Sequence, residues 1–395
     1  MLSDISDNDF GYLSEDSIYL DSACQTLRPQ PVIEAIDDYY REYNACGGRV
    51  KYAWGNKVDE AVQKTRDQLL KLAGKSDRDY ICAFTLNTTY GINLILSQLS
   101  AGTFQHIITS QAEHNSVFLP SITYARKLDI DRLVLARKPD GGLDYQPDQL
   151  KDSIVLVNTT SNFDGLNLAN AAELTDDVHQ QGGIVIFDAA QTMAHNPGLI
   201  QKVDFDAICF SGHKMYGPSL GVIIIKKSLL ERLEFSFIGG GTVETVSQDY
   251  YKLLRDEPAS WLEAGLQNYS GIIGLGAAVG WLEHYRPDGQ QPLEYEAALS
   301  KQLYEALKAI PGLTVINKAP SSIISFYSDK IDAHRLAVYL SAQNIMARSG
   351  YFCCHYYLDE IMGYPPLLRL SLGLNNTKDQ VAKVADALGQ QIGAR

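Results

Sequence analysis

No stretch of the chain comes near the roughly 18–20 consecutive apolar residues of a membrane-spanning helix, so no membrane partner is expected. The start, Met1-Leu2-Ser3-Asp4-Ile5-Ser6-Asp7, lacks a basic n-region and an apolar h-region, and no secretory leader is read there. Positive charge is scarce: 34 Lys+Arg stand against 47 Asp+Glu, a formal −13. Nucleic acid and anionic membrane both need a positive field, so neither is an expected partner. Cysteine is sparse too, with six among 395 residues. None forms a C-x-x-C pair and none joins His at zinc-ligand spacing, so no metal site is expected. Reduced thiols of this kind fit the cytoplasm.

What is present is the composition of a soluble globular enzyme, 45% hydrophobic and 21% charged, at a length that suggests two structural units. Apolar runs at 80–85, 106–110, 154–158, 183–188, 207–211 and 222–226 alternate with helical patterns such as 91–99, 117–127 and 171–181. Near-continuous Val/Ile/Phe runs separated by helices predict a parallel sheet covered on both faces, over about residues 26–285. After Pro287-Asp288-Gly289 the pattern mixes strands and helices, which predicts a smaller α+β unit from 286–395 joined by residues 1–25. Cys82 and Cys209 fall within strand-like runs, where a buried, inert thiol is expected.

In an open parallel sheet the chemistry sits beyond the carboxyl ends of the strands. One strand runs into Asp188-Ala189-Ala190-Gln191, and another into Ser211-Gly212-His213-Lys214-Met215-Tyr216-Gly217-Pro218. Further exits carry Asn87-Thr88-Thr89, Glu113-His114 and Ser161-Asn162. Each has a bland reading: an acid or a threonine there also serves as a helix cap, and a lysine sits well in a surface turn. Together they supply hydroxyls for a phosphate, an acid, an amide, an imidazole and an amine. That set suits pyridoxal phosphate, whose pyridine nitrogen needs a carboxylate and whose aldehyde needs a lysine. Gly271, Gly274 and Gly276 lie in a helical pattern rather than after a strand, which speaks against a dinucleotide loop.

These residues resemble the fold-type I pyridoxal-phosphate enzymes of the class V aminotransferase group, most of all the cysteine desulfurases and selenocysteine lyases. The resemblance runs from Tyr19-Leu20-Asp21-Ser22-Ala23 to Arg369-Leu370-Ser371-Leu372-Gly373 and is most specific at the motif around Lys214. It implies an α/β fold with a mostly parallel seven-stranded sheet in a large domain, 26–285, and a smaller α+β C-terminal domain. By the same matching, Lys214 carries the cofactor, Asp188 faces the pyridine nitrogen and His114 stacks on the ring. Gln191 and Asn162 lie near the phenolic oxygen. Thr88 or Thr89, Ser211 and His213 bind the phosphate, and Thr242 is reached from a partner subunit, which implies a homodimer.

The stretch Arg348-Ser349-Gly350-Tyr351-Phe352-Cys353 resembles the R-[ST]-G-x-x-C loop of the desulfurases. It implies that Lys214 takes the Cα proton of a small amino-acid substrate. Cys353 then takes the γ-sulfur, or selenium, as a persulfide that passes to an acceptor protein or thiol, leaving alanine. Arg348 and His355 are neighbours that can assist the thiol, and Arg369 resembles the arginine that forks onto the substrate carboxylate. An aromatic interface around Cys353-Cys354 and a surface ion pair at Arg369 are the plainer alternatives. Three positions depart from the pattern. Leu266-Gln267 stands for the usual Thr-Pro, Phe352 for a His, and Cys24-Gln25 for a small residue and Thr. A transaminase or C–S lyase acting on another amino acid or thioether, with Cys353 incidental, is the competing function. A non-catalytic scaffold is the third reading, and the retained Lys214, Asp188 and His114 argue against it.

Overall fold

The computed structural model describes residues 9–48 and 50–394; the stretch read above for a leader lies outside them. The main sheet has eight strands, in the order Tyr80–Thr85, Gly221–Lys226, Ala207–Ser211, Ile184–Asp188, Ser153–Asn158, His106–Ser110, Asp131–Arg137 and the short Leu143–Asp144. The run from Ala207–Ser211 to Asp131–Arg137 is parallel throughout. Gly221–Lys226 is antiparallel to both neighbours, so Tyr80–Thr85 regains the common direction. The ends of five strands, at Thr85, Ser110, Asn158, Asp188 and Ser211, therefore open on one edge of the sheet.

Alternate residues of each strand enter opposite cores, as the pleat requires. Val155, Val157, Val185 and Phe187 pack with Leu69, Leu174 and Leu275 on one face. Ile154, Leu156, Ile184 and Ile186 pack with Ile92, Ile95 and Val117 on the other. The helix Tyr269–His284 is apolar on almost every side and is buried accordingly. Its glycines belong to packing: a Cβ on Gly274 would lie 2.8 Å from Ile36 and Pro218, and one on Gly276 would lie 2.3 Å from Thr65 Oγ1. The helices Gln30–Glu42 and Ala53–Leu72 can close on it only because those side chains are missing.

A second, antiparallel sheet runs Leu313–Val315, Ile323–Ser328, Leu367–Ser371, Arg348–Gly350. Its core holds Ile324, Phe326, Leu368 and Leu370 against helices Pro292–Lys308, Ala333–Ser341 and Lys378–Gly393. Ile18–Tyr19 pairs in parallel with Ile345–Met346, which brings the early chain to this sheet. Its strand Leu367–Ser371 and the loop after Arg348–Gly350 reach over the open edge of the main sheet, where the site forms. Among the described residues no helix is long and apolar enough to cross a membrane.

Candidate active site

A cavity of about 270 Å³ lies at that edge, lined by Thr88, Thr89, His114, Asn162, Asp188, Ser211, His213, Lys214, Cys353 and Arg369 among others. Ten of the residues expected from the sequence thus meet in one place. Gln191 stands just behind it, buried, with Nε2 donating to the Ala23 carbonyl at 2.7 Å. Thr242 does not line the cavity; its hydroxyl donates to the Gly239 carbonyl at 2.8 Å.

The hydroxyl cluster forms where a helix starts. Asn87 caps Thr88–Ser97 by accepting from Tyr90 N–H, so the helix begins three residues before the apolar pattern alone suggests. The Thr88 N–H donates to Ser211 Oγ at 2.9 Å, and their hydroxyls lie 2.6 Å apart. Thr89 and Ser116 hydroxyls pair at 2.6 Å. Ser116, which the sequence reading passed over, also donates its N–H to His114 Nδ1 at 3.0 Å. That bond makes Nδ1 an acceptor and leaves the proton of the neutral ring on Nε2. Burial first, then Lys214 and Arg369, push His114 down to about 3, so it is neutral at physiological pH. His213 is pushed down to about 4 by burial, with Lys214 and Arg28 adding to it.

Asp188 is buried and Lys214 partly so, and the two lie within electrostatic reach of each other. Burial lowers the amine's pKa and raises the acid's, and each charge opposes the other's shift. Asp188 Oδ1 accepts from the Ala190 N–H at 2.9 Å, which fixes the carboxylate.

Arg369 is not at the surface: it is 2% exposed. One amine donates to the Asn162 carbonyl at 2.7 Å, another to Asp21 at 2.9 Å, and the guanidinium lies 4.7 Å above the Phe352 ring. Arg348, expected to assist the thiol, also holds Asp21, at 2.9 Å, while His355 packs its ring on Tyr351. Asp21 lies more than 300 residues from both arginines in sequence, so no local pattern could have shown this bond.

Cys353 is exposed to the cavity, whereas Cys354 is buried beside Phe163 and Leu358 with its thiol pushed well up by burial. Phe352 and Cys353 have φ of 50° and 59°, a left-handed backbone that is costly for such residues. Two bonds hold it: Asn162 Nδ2 donates to the Phe352 carbonyl at 2.6 Å, and the Asn115 N–H to the Cys353 carbonyl at 2.7 Å.

Residues 18–384 match the family aminotransferase class-V. The chain belongs to that family. Members of the class V aminotransferase family depend on pyridoxal phosphate, and this one is cysteine desulfurase-like. It is 30% identical over 388 residues to a probable cysteine desulfurase of Halobacterium salinarum, covering 95% of this chain and 92% of that one. The apo structure of a cysteine desulfurase from Thermococcus onnurineus superimposes with a TM-score of 0.88, at 28% identity and 96% of each chain. The cysteine desulfurase CsdA of Escherichia coli, solved with an S-sulfonic acid, gives 0.85 at 28% identity, covering 97% and 96%.

The residues present fit the family's cofactor. Asn162 Oδ1, Gln191 Oε1 and His213 Nδ1 are buried without a protein partner around the Lys214–Asp188 pair. Unpaired buried polar atoms are costly, and a polar ring with a phosphate is the kind of group that relieves them.

Proposed function

We propose that this enzyme is a pyridoxal-phosphate-dependent desulfurase that takes sulfur, or selenium, from L-cysteine or L-selenocysteine as a persulfide on Cys353 and releases alanine. The observation that carries the reading is the entry of Cys353 into the same cavity as Lys214. When bound, the cofactor supplies an electron sink for charge developing at Cα. Lys214 would hold it, Asp188 would keep its ring nitrogen protonated, and the Thr88, Thr89, Ser211 and His213 groups would take its phosphate. The neutral His114 ring would cover one face.

The protein's own part is positioning and proton transfer. Lys214, shifted towards the neutral amine, is suited to take the Cα proton. Arg369 Nε is buried and unpartnered, which leaves a donor for the substrate carboxylate. Cys353, pinned through the carbonyls on either side, attacks the γ-sulfur. Its exposure supports delivery of the persulfide to an acceptor protein or thiol. Thr242, away from this chain's cavity, and the exposed Phe237, Val246, Tyr250 and Leu266 around it support a homodimer. A cytoplasmic enzyme with six free cysteines completes the reading.

The test is alanine formation from L-cysteine with a reductant, comparing wild type and Cys353→Ala as cofactor-loaded proteins. Loss of nearly all alanine in the variant supports a thiol-dependent desulfurase. Equal turnover overturns it in favour of a C–S lyase or transaminase, which pyruvate release or amino-group transfer then tells apart.

A further inference from the structure

Cys353 is not the sole thiol in the cavity. Cys24, one of the positions that depart from the desulfurase pattern, lines it as well and is partly exposed. Three of the other four cysteines are buried with thiols pushed up in pKa, and Cys46 lies elsewhere, beside Tyr269. The two thiols that share the cavity are also linked through one ion pair. The Cys24 N–H donates to the Asp21 carbonyl at 3.0 Å, and the Asp21 carboxylate holds Arg348, five residues before Cys353. Two guanidiniums, Arg348 and Arg369, share that single carboxylate, so the surroundings of Cys24 carry an excess positive charge. Lys214 lies within electrostatic reach of both thiols.

Resting on the desulfurase reading, we infer that Cys24 is a resolving thiol for the Cys353 persulfide. Its thiolate attacks Cys353 Sγ, a Cys24–Cys353 disulfide forms, the bond between Cys353 Sγ and the sulfane sulfur breaks, and hydrosulfide leaves. The Cys24 sulfur is oxidised from thiolate to the disulfide level that Cys353 Sγ already holds, the sulfane sulfur is reduced to sulfide, and no outside oxidant is needed. The next turnover then waits for an external thiol to reopen the pair. The enzyme thus has two fates for its sulfur. Transfer from Cys353 proceeds while an acceptor is at hand, and sulfide release with self-arrest follows when none is.

The experiment is a single turnover of the cofactor-loaded enzyme with L-cysteine in the absence of reductant, followed by acid quench, sulfide assay and non-reducing peptide mass mapping. Wild type is expected to release about one sulfide per chain and to yield a Cys24–Cys353 cross-linked peptide. Cys24→Ser is expected to keep the extra sulfur on Cys353 and to release about tenfold less sulfide for each alanine formed. Wild type that forms alanine yet keeps the persulfide on Cys353, with no cross-linked peptide, overturns the inference and leaves the desulfurase reading intact. Absence of alanine from wild type even with reductant overturns both.

Discussion

Arg348 and Arg369 face each other as register partners on neighbouring antiparallel strands, and both donate to the carboxylate of Asp21. The pair explains why two like charges tolerate adjacency so close to the cavity: one acid bridges them. It also means that a substrate carboxylate arriving at Arg369 meets a guanidinium already held on two sides, by Asp21 and by the Asn162 carbonyl. Orientation is settled before binding, which lowers the cost of binding.

Replacing Arg369 with lysine keeps the charge but removes the planar fork. Arg369→Lys is expected to lower kcat/KM for L-cysteine by about 100-fold, mostly through KM, with cofactor binding retained. Steady-state kinetics beside a cofactor titration checks this. An unchanged KM would move the carboxylate elsewhere.

Glu113 gives a pH signature. Burial lifts its carboxyl to about 8 from an ordinary 4.5, despite hydrogen bonds from Ser110 and the Asn158 N–H. The folded protein therefore keeps a proton that the unfolded chain gives up between those values. This stabilisation is full below about 4.5 and is lost as pH rises through 8. Glu113→Gln mimics the protonated acid. Its melting temperature should match wild type within about 4 °C at pH 6 and fall less steeply between pH 6 and 9.

Glu263 anchors the loop before the buried helix. It takes both Arg66 amines, at 2.8 and 2.6 Å, and accepts the Phe84 N–H at 2.6 Å. Glu263→Ala leaves the largely covered Arg66 without its counter-ion, with only the Cys82 carbonyl as partner, and a loss of about 3–5 kcal/mol is expected in denaturant unfolding. A loss below about 1 kcal/mol would show that solvent reaches Arg66 readily.

Thiol labelling provides a check that needs no catalysis. Under native conditions, iodoacetamide should modify Cys24, Cys46 and Cys353 while sparing Cys82, Cys209 and Cys354. Cys82 is pushed up to about 12 by burial. Peptide mapping before and after denaturation distinguishes the two sets.

The strands of the main sheet were legible because burial on both faces writes them as unbroken apolar runs, and the site motifs were legible because they follow those runs. Asp131–Arg137 escaped notice because it lies towards the sheet edge, mostly outside the core, with charge at both ends. The helix Ala53–Leu72 hides in the same way, burying few side chains along a polar run. The hairpin Val243–Val246 and Tyr251–Leu253 is largely exposed, so no core face marks it. Tyr356–Ile361 reads as an aromatic loop but forms a wide helical turn, with Tyr356 stacked on Phe118 and Tyr357 against Phe163. Ion pairs such as Arg348–Asp21 leave no trace in a local window, since they exist only once the chain has closed on itself.

The chain reaches Cys353 from the smaller sheet, yet both clasps on its flanking carbonyls come from the larger one, through Asn115 and Asn162. Mechanically, the sulfur is a passenger of the floor beneath it rather than of the strand that delivers it. The backbone that carries the sulfur is thereby fixed to the loops of the larger sheet. A residue added after Tyr364 should be absorbed quietly, whereas one added between Arg348 and Phe352 should pull the loop off its clasps.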